Sequence, residues 1–167
     1  YERSPMYHKI VLEDLMRAAR GVEKADRLFY EELCKKIKKM ADVMYSLEDG
    51  MGQTPLFNDS GDNVARSMVS LLAALREEFG ITREEFSIAP VNKNAFPDAG
   101  YYCLRHQGLK ILMDTGEIAP DYMPGHGHCD GLSFELSRQG HPVFVNSGTG
   151  MYQGALRGYF RSTAAHN

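Results

Sequence analysis

GYYCLRHQGLKILMD, residues 100–114, is where the hydrophobic period of this chain becomes two. Aromatic and aliphatic residues fill both flanks of a Gln107-Gly108 pair, which reads as two strands around a tight turn. A second stretch, LSFELSRQGHPVFVNSG at 132–148, repeats the design around Gln139-Gly140. There Leu132, Phe134 and Leu136 form a regular apolar face, and Ser133, Glu135 and Ser137 are expected on the other.

Upstream the period is helical. Ser4-Pro5 supplies a cap and a first-turn proline, and Met6, Ile10, Leu15 and Met16 follow as an apolar stripe ending near Gly21. A second helix is expected from about Lys24 to Leu47, on the spacing of Phe29, Leu33, Ile37, Met40 and Met44. Lys35, Lys36, Lys38 and Lys39 fill its opposite arc, a solvated face rather than a binding patch. Residues 50–63 read as a loop. Asp62 is then a candidate cap for a third helix carrying Val64, Met68, Leu72, Leu75 and Phe79 and ending at Gly80. Three amphipathic helices on modest loops should pack as antiparallel neighbours. Helices first and antiparallel strands afterwards is the pattern of two adjoining domains, with the boundary near residues 81–97.

Composition narrows the function. The 167 residues carry a net charge of −3, which leaves no basic footprint for nucleic acid. No apolar run reaches membrane-spanning length. Cys34, Cys103 and Cys129 are odd in number and far apart, so no disulfide framework is expected, and Cys129 reads as a small apolar filler. The chain starts without Met and stops at AAHN with no closing element, so it reads as a segment of something longer.

PGHGHCDGLSFEL, residues 124–136, carries the chemistry. In an extended chain His126, His128 and Asp130 would face one side and converge on a metal, a substrate proton or nothing. Glycines at 125 and 127 leave the backbone approachable. His-x-His is a common metal-ligand spacing, and Asn146 and His166 are candidates for completing a set. His106 and His141 flank hairpin turns and read as surface residues. A cupin-like reading fails, because six residues separate His128 from Glu135. A serine hydrolase fails too, for want of G-x-S-x-G.

Four runs in order, FPDAGYYCLR, DYMPGHGHCDGLSFEL, VFVNSGTGMY and YFRSTAAHN, together with ERSPMYH, VLEDL and PLFNDS upstream, resemble the heparinase II/III-like polysaccharide lyases. The resemblance implies an α+β multidomain fold, the end of an incomplete (α/α) toroid (residues 1–85) followed by the first strands of an antiparallel β-sandwich (86–167). It implies β-elimination on a uronic-acid-containing polysaccharide, so an acidic polysaccharide is the expected partner. By motif position Tyr7 and His126 match the family's proton-transferring pair. His128, Asn146 and His166 match ligands of one structural divalent metal, zinc by type, with no organic cofactor. His8 and Arg161 are candidate substrate-binding residues. Without the resemblance Tyr7 reads rather as a core aromatic of the first helix. Asn stands at 146 where the family often has Asp, and the family's carboxylate-neutralising residue falls before Tyr1. The family implies a periplasmic or secreted protein. The alternative is a catalytically silent carbohydrate-binding relative.

Overall fold

A computed structural model describes residues 3–48, 51–61, 64–82 and 92–167. Helix α1 (Pro5–Val22) starts where the Ser4 hydroxyl accepts from the Tyr7 N–H and proline occupies the first turn. Helix α2 (Arg27–Leu47) is capped by Asp26, so it begins about a turn after the expected Lys24. Helix α3 (Met68–Phe79) is capped by Ser67 and closed by Gly80 in the left-handed conformation. Asp62, the expected cap, lies outside the described residues, and Val64 is exposed ahead of the helix instead of within it. Leu12, Met16, Ile37, Met44, Met68 and Leu71 bury completely to make one helical core.

The strands β1 (Asn92–Phe96), β2 (Tyr101–His106), β3 (Leu109–Asp114), β4 (Phe134–Arg138) and β5 (His141–Phe144) form a single antiparallel sheet in chain order. Both expected hairpins form, and β1 is a strand that the sequence reading missed. Gln107 and Gly108, like Gln139 and Gly140, all take positive φ, as type I′ turns require. The expected domain boundary between residues 85 and 86 lies outside the described residues.

Register sorts the two faces. Tyr101, Cys103 and Arg105 stand opposite Asp114, Leu112 and Lys110, and Leu112 stands opposite Glu135. This face turns toward the helices, where Leu47, Phe57, Tyr101, Cys103 and Leu112 form a second core. Arg105 donates to the carbonyls of Ser46 and Glu48, and Lys110 donates to those of Leu47 and Glu48. Two cations thus satisfy the orphan carbonyls at the C-terminal end of α2.

The expected alternation on β4 forms, with the polar set turned inward. Ser133 and Ser137 are buried, and Leu132, at positive φ before the strand, is 77% exposed. The inward face of β4 is polar because it meets backbone: Glu135 accepts from the Leu56 N–H at 2.7 Å and the Asn146 N–H at 3.4 Å. Alternation predicted the strand but not which side faced the core.

Candidate functional site

The site sits between the helices and the sheet, around three consecutive residues of the expected 50–63 loop. Asn58, Asp59 and Ser60 are each at most 2% exposed. Buried polar residues must be satisfied, and each of these binds a different part of the molecule. The Ser60 hydroxyl meets that of Ser4 and accepts from the Met6 N–H, which ties the loop to α1. Asn58, at φ 53°, donates its amide to the Arg3 carbonyl and Asp114, and its Oδ1 accepts from the His128 N–H. Its own N–H goes to Asp130 at 2.7 Å.

Asp59 lies at the centre. Its Oδ2 is 2.8 Å from His126 Nδ1 and its Oδ1 is 2.7 Å from His128 Nε2. Arg157 grips both oxygens, at 2.6 and 2.7 Å. Burial pushes the carboxyl up, but hydrogen bonds from His128, Arg157 and His126 outweigh it and hold Asp59 well below the usual carboxylate range. It is an anion. The only trace of it in the sequence was the PLFNDS motif, which says nothing of what Asp59 would touch.

His126 ends a short 3₁₀ turn (Pro124–His126), and the extended Gly127 leads from it to His128. That change of backbone separates the roles of the two histidines. The His126 ring is partly exposed and lies 4.8 Å from the Tyr7 ring, centroid to centroid. Tyr7 shares a hydrogen bond with Tyr152, whose hydroxyl also donates to the Asp59 carbonyl at 3.1 Å. Tyr152 is a second residue of the site that sequence reading missed.

His128 is fully buried, and its Nδ1 lies 3.2 Å from His166 Nε2. Ligand atoms of His128, Asp130 and His166 all lie within 4.8 Å of one another, a grouping able to hold a metal ion. Asn146 stands at the other nitrogen of His166, its Oδ1 2.6 Å from Nδ1. That oxygen also accepts from the Ser147 N–H at 2.8 Å, so it is an acceptor and His166 Nδ1 carries the proton. Asn146, the expected third ligand, thus bonds to His166, and Asp130 stands in the group with the two histidines. Burial pushes the His166 pKa down, which favours the neutral ring. Its free Nε2 lone pair then points to His128 Nδ1. Two imidazole nitrogens bound to one ion at about 2.0–2.1 Å are separated by roughly 3.3 Å in tetrahedral geometry. The residues present fit a divalent cation.

Two expected substrate contacts are spent elsewhere. His8 Nε2 meets the Met40 carbonyl at 3.0 Å, a contact between α1 and α2. Arg161 donates to the carbonyls of Gly127 and Pro124 and clamps the histidine loop. Gly127 is needed for packing, because a Cβ there would lie 2.5 Å from the Ile118 carbonyl oxygen, whereas Gly125 has open space. Cys129 is exposed and so is not a packed filler.

Residues 89–167 match the family described as heparinase II/III-like, C-terminal. Solved structures agree over the whole chain. The heparan sulfate lyase HepC from Pedobacter heparinus superposes with a TM-score of 0.75 at 19% identity, over 99% of this chain and 29% of that one. A structure titled heparinase III gives 0.76 at 22% identity, over 99% and 30%. The heparinase III-BT4657 gene product gives 0.76 at 18%, over 100% and 29%. The chain therefore spans under a third of the length of these proteins. No curated protein matches it. The resemblance to heparinase II/III-like proteins read from the motifs holds, by family match over the sheet half and by fold over both halves.

Proposed function

We propose that this chain supplies the acid–base pair of a polysaccharide lyase that cleaves a uronate-containing glycosaminoglycan by β-elimination. On this reading the helices are the end of an incomplete (α/α) toroid, residues 1–85, and residues 86–167 begin the β-sandwich. The observation that carries the proposal is the meeting of Tyr7 and His126, 4.8 Å apart by ring centroid, with His126 anchored beneath by a buried anion. Heparinase-like neighbours support the reaction class, since one is titled a heparan sulfate lyase. From the family resemblance we place the protein in the periplasm or outside the cell, which fractionation of the native host would check.

β-Elimination breaks the C5–H and C4–O bonds of the uronate and forms a C4=C5 double bond. One group takes the C5 proton and another gives a proton to the departing glycosidic oxygen. His126 has one nitrogen held by Asp59 and the other available for transfer. Tyr7 offers a phenol whose hydrogen-bond partner, Tyr152, fixes its direction. His128, Asp130 and His166 would hold a zinc-type cation, whose chemistry here is structural cross-linking of the histidine loop to the segment around His166.

The test is ultraviolet absorbance of the new double bond when the full-length protein meets a panel of uronate polymers. Tyr7→Phe should abolish turnover, and His126→Ala should lower kcat by about 10²–10⁴-fold. Cleavage unaffected by Tyr7→Phe would overturn the assignment. Binding with no cleavage of any polymer would favour the silent relative.

A further inference from the structure

We propose that Asp59 is a positioning residue that sets the tautomers of both His126 and His128, so that one buried carboxylate prepares the proton-transferring ring and the cation-facing ring together. A carboxylate only accepts hydrogen bonds. The nitrogens it contacts, His126 Nδ1 and His128 Nε2, must therefore both carry protons. The two rings present opposite nitrogens to the same group, so the same rule gives them opposite tautomers. His126 keeps its Nε2 lone pair for a proton, while His128 keeps its Nδ1 lone pair toward His166 and Asp130. Metal-binding histidines characteristically give their second N–H to such a carboxylate. What is particular here is that the same carboxylate also serves a ring two residues away that lies outside the cation group.

The surroundings keep Asp59 in place. Arg157 matches its charge and also donates to Thr149 Oγ1 and the Met151 carbonyl, so the fork cannot swing away without losing four bonds. Substitution by Asn exposes the arrangement, because an amide offers one acceptor oxygen where two N–H groups need one each. One ring must then face an NH₂ group and turn its lone pair toward it.

The functional consequence rests on the lyase reading, but the tautomers do not, and they are measured without substrate. The experiment is two-bond ¹H–¹⁵N correlation on the full-length protein labelled with ring-¹⁵N histidine and loaded with zinc alone. Signals are assigned by their loss in His126→Gln and His128→Gln. The expected result is His126 protonated at Nδ1 and His128 protonated at Nε2 in the wild type. In Asp59→Asn at least one ring should change tautomer. If that ring is His128, zinc affinity by chelator competition should fall about 10–100-fold. If it is His126, kcat should fall with KM nearly unchanged. Either ring found in the opposite tautomer in the wild type overturns the proposal, and this reading stands even if Asp59→Asn does not fold. Both rings unchanged in a folded Asp59→Asn protein would overturn it too. A protein with the expected tautomers and no lyase activity would keep this inference while losing the proposed function.

Discussion

Replacing Arg157 by Met removes the counter-ion of a fully buried carboxylate while keeping most of the side-chain stem. The guanidinium gives two bonds to Asp59, at 2.6 and 2.7 Å, and the Asp59 side chain is wholly buried. Breaking a buried pair from one side leaves an uncompensated charge and costs about 3–5 kcal/mol. That is a large share of a typical total of about 5–15 kcal/mol. The loss should depend on pH with a definite sign. Asp59 is held below its unfolded value near ~3.9, so its contribution is present above that pH and disappears as pH falls through the lower folded value. Arg157→Met removes one of three hydrogen-bonding partners that oppose burial together with its charge, so a substantial part of that contribution should vanish. The deficit against wild type should be full at neutral pH, begin to close below about pH 4 and shrink further as pH falls toward the lower folded value. Equilibrium urea unfolding of the full-length proteins at several pH values measures it. A deficit under about 1 kcal/mol at pH 7.5, or one that persists unchanged in acid, would refute the reasoning.

Asp114 should behave with the opposite sign: burial, only partly offset by the Gly116 N–H, raises its pKa from 3.8 to about 6. Its contribution is present below the unfolded value and lost as pH rises through about 6, a change of about 3 kcal/mol that Asp114→Asn should flatten in thermal melts. Gly127→Ala should destabilise by about 1–3 kcal/mol through overpacking on Ile118, while Gly125→Ala should melt within a degree or two of wild type. Zinc retention against a chelator should weaken much more in Asp130→Ala than in Asn146→Ala, since Asp130 faces the histidine gap and Asn146 only braces His166; equal losses would restore Asn146 as a ligand.

The hairpins were legible because their turns obey local chemistry: Gln107-Gly108 and Gln139-Gly140 need positive φ whatever surrounds them. The helices were legible from caps and period, with Ser4 read correctly and the start of α3 misplaced because Ser67 outcompetes an earlier position. The alternation of β4 was legible but not its inward side, since that side meets a loop backbone rather than a hydrophobic layer. His126, His128 and His166 announced themselves by residue type and spacing. Asp59 did not, because one aspartate in a polar loop has the sequence signature of a turn. Only the fold, which carries the loop between α1 and the sheet, shows that this carboxylate is buried against two histidines. Spacing put Asn146 and His166 in one set, but it does not show that Asn146 Oδ1 lies on His166 Nδ1.

The central claim is elimination rather than hydrolysis, and the isotope content of the new chain ends decides it. The full-length protein is incubated in H₂¹⁸O with the uronate polymer it cleaves, and the oligosaccharides are weighed by mass spectrometry. Elimination adds no water, so the fragment masses should sum to that of the parent, with no ¹⁸O fixed at the cleaved bond and one unsaturated uronate per cut. Fragments carrying one added water and one ¹⁸O per cut would mean hydrolysis, and the Tyr7–His126 assignment as a lyase pair would be wrong.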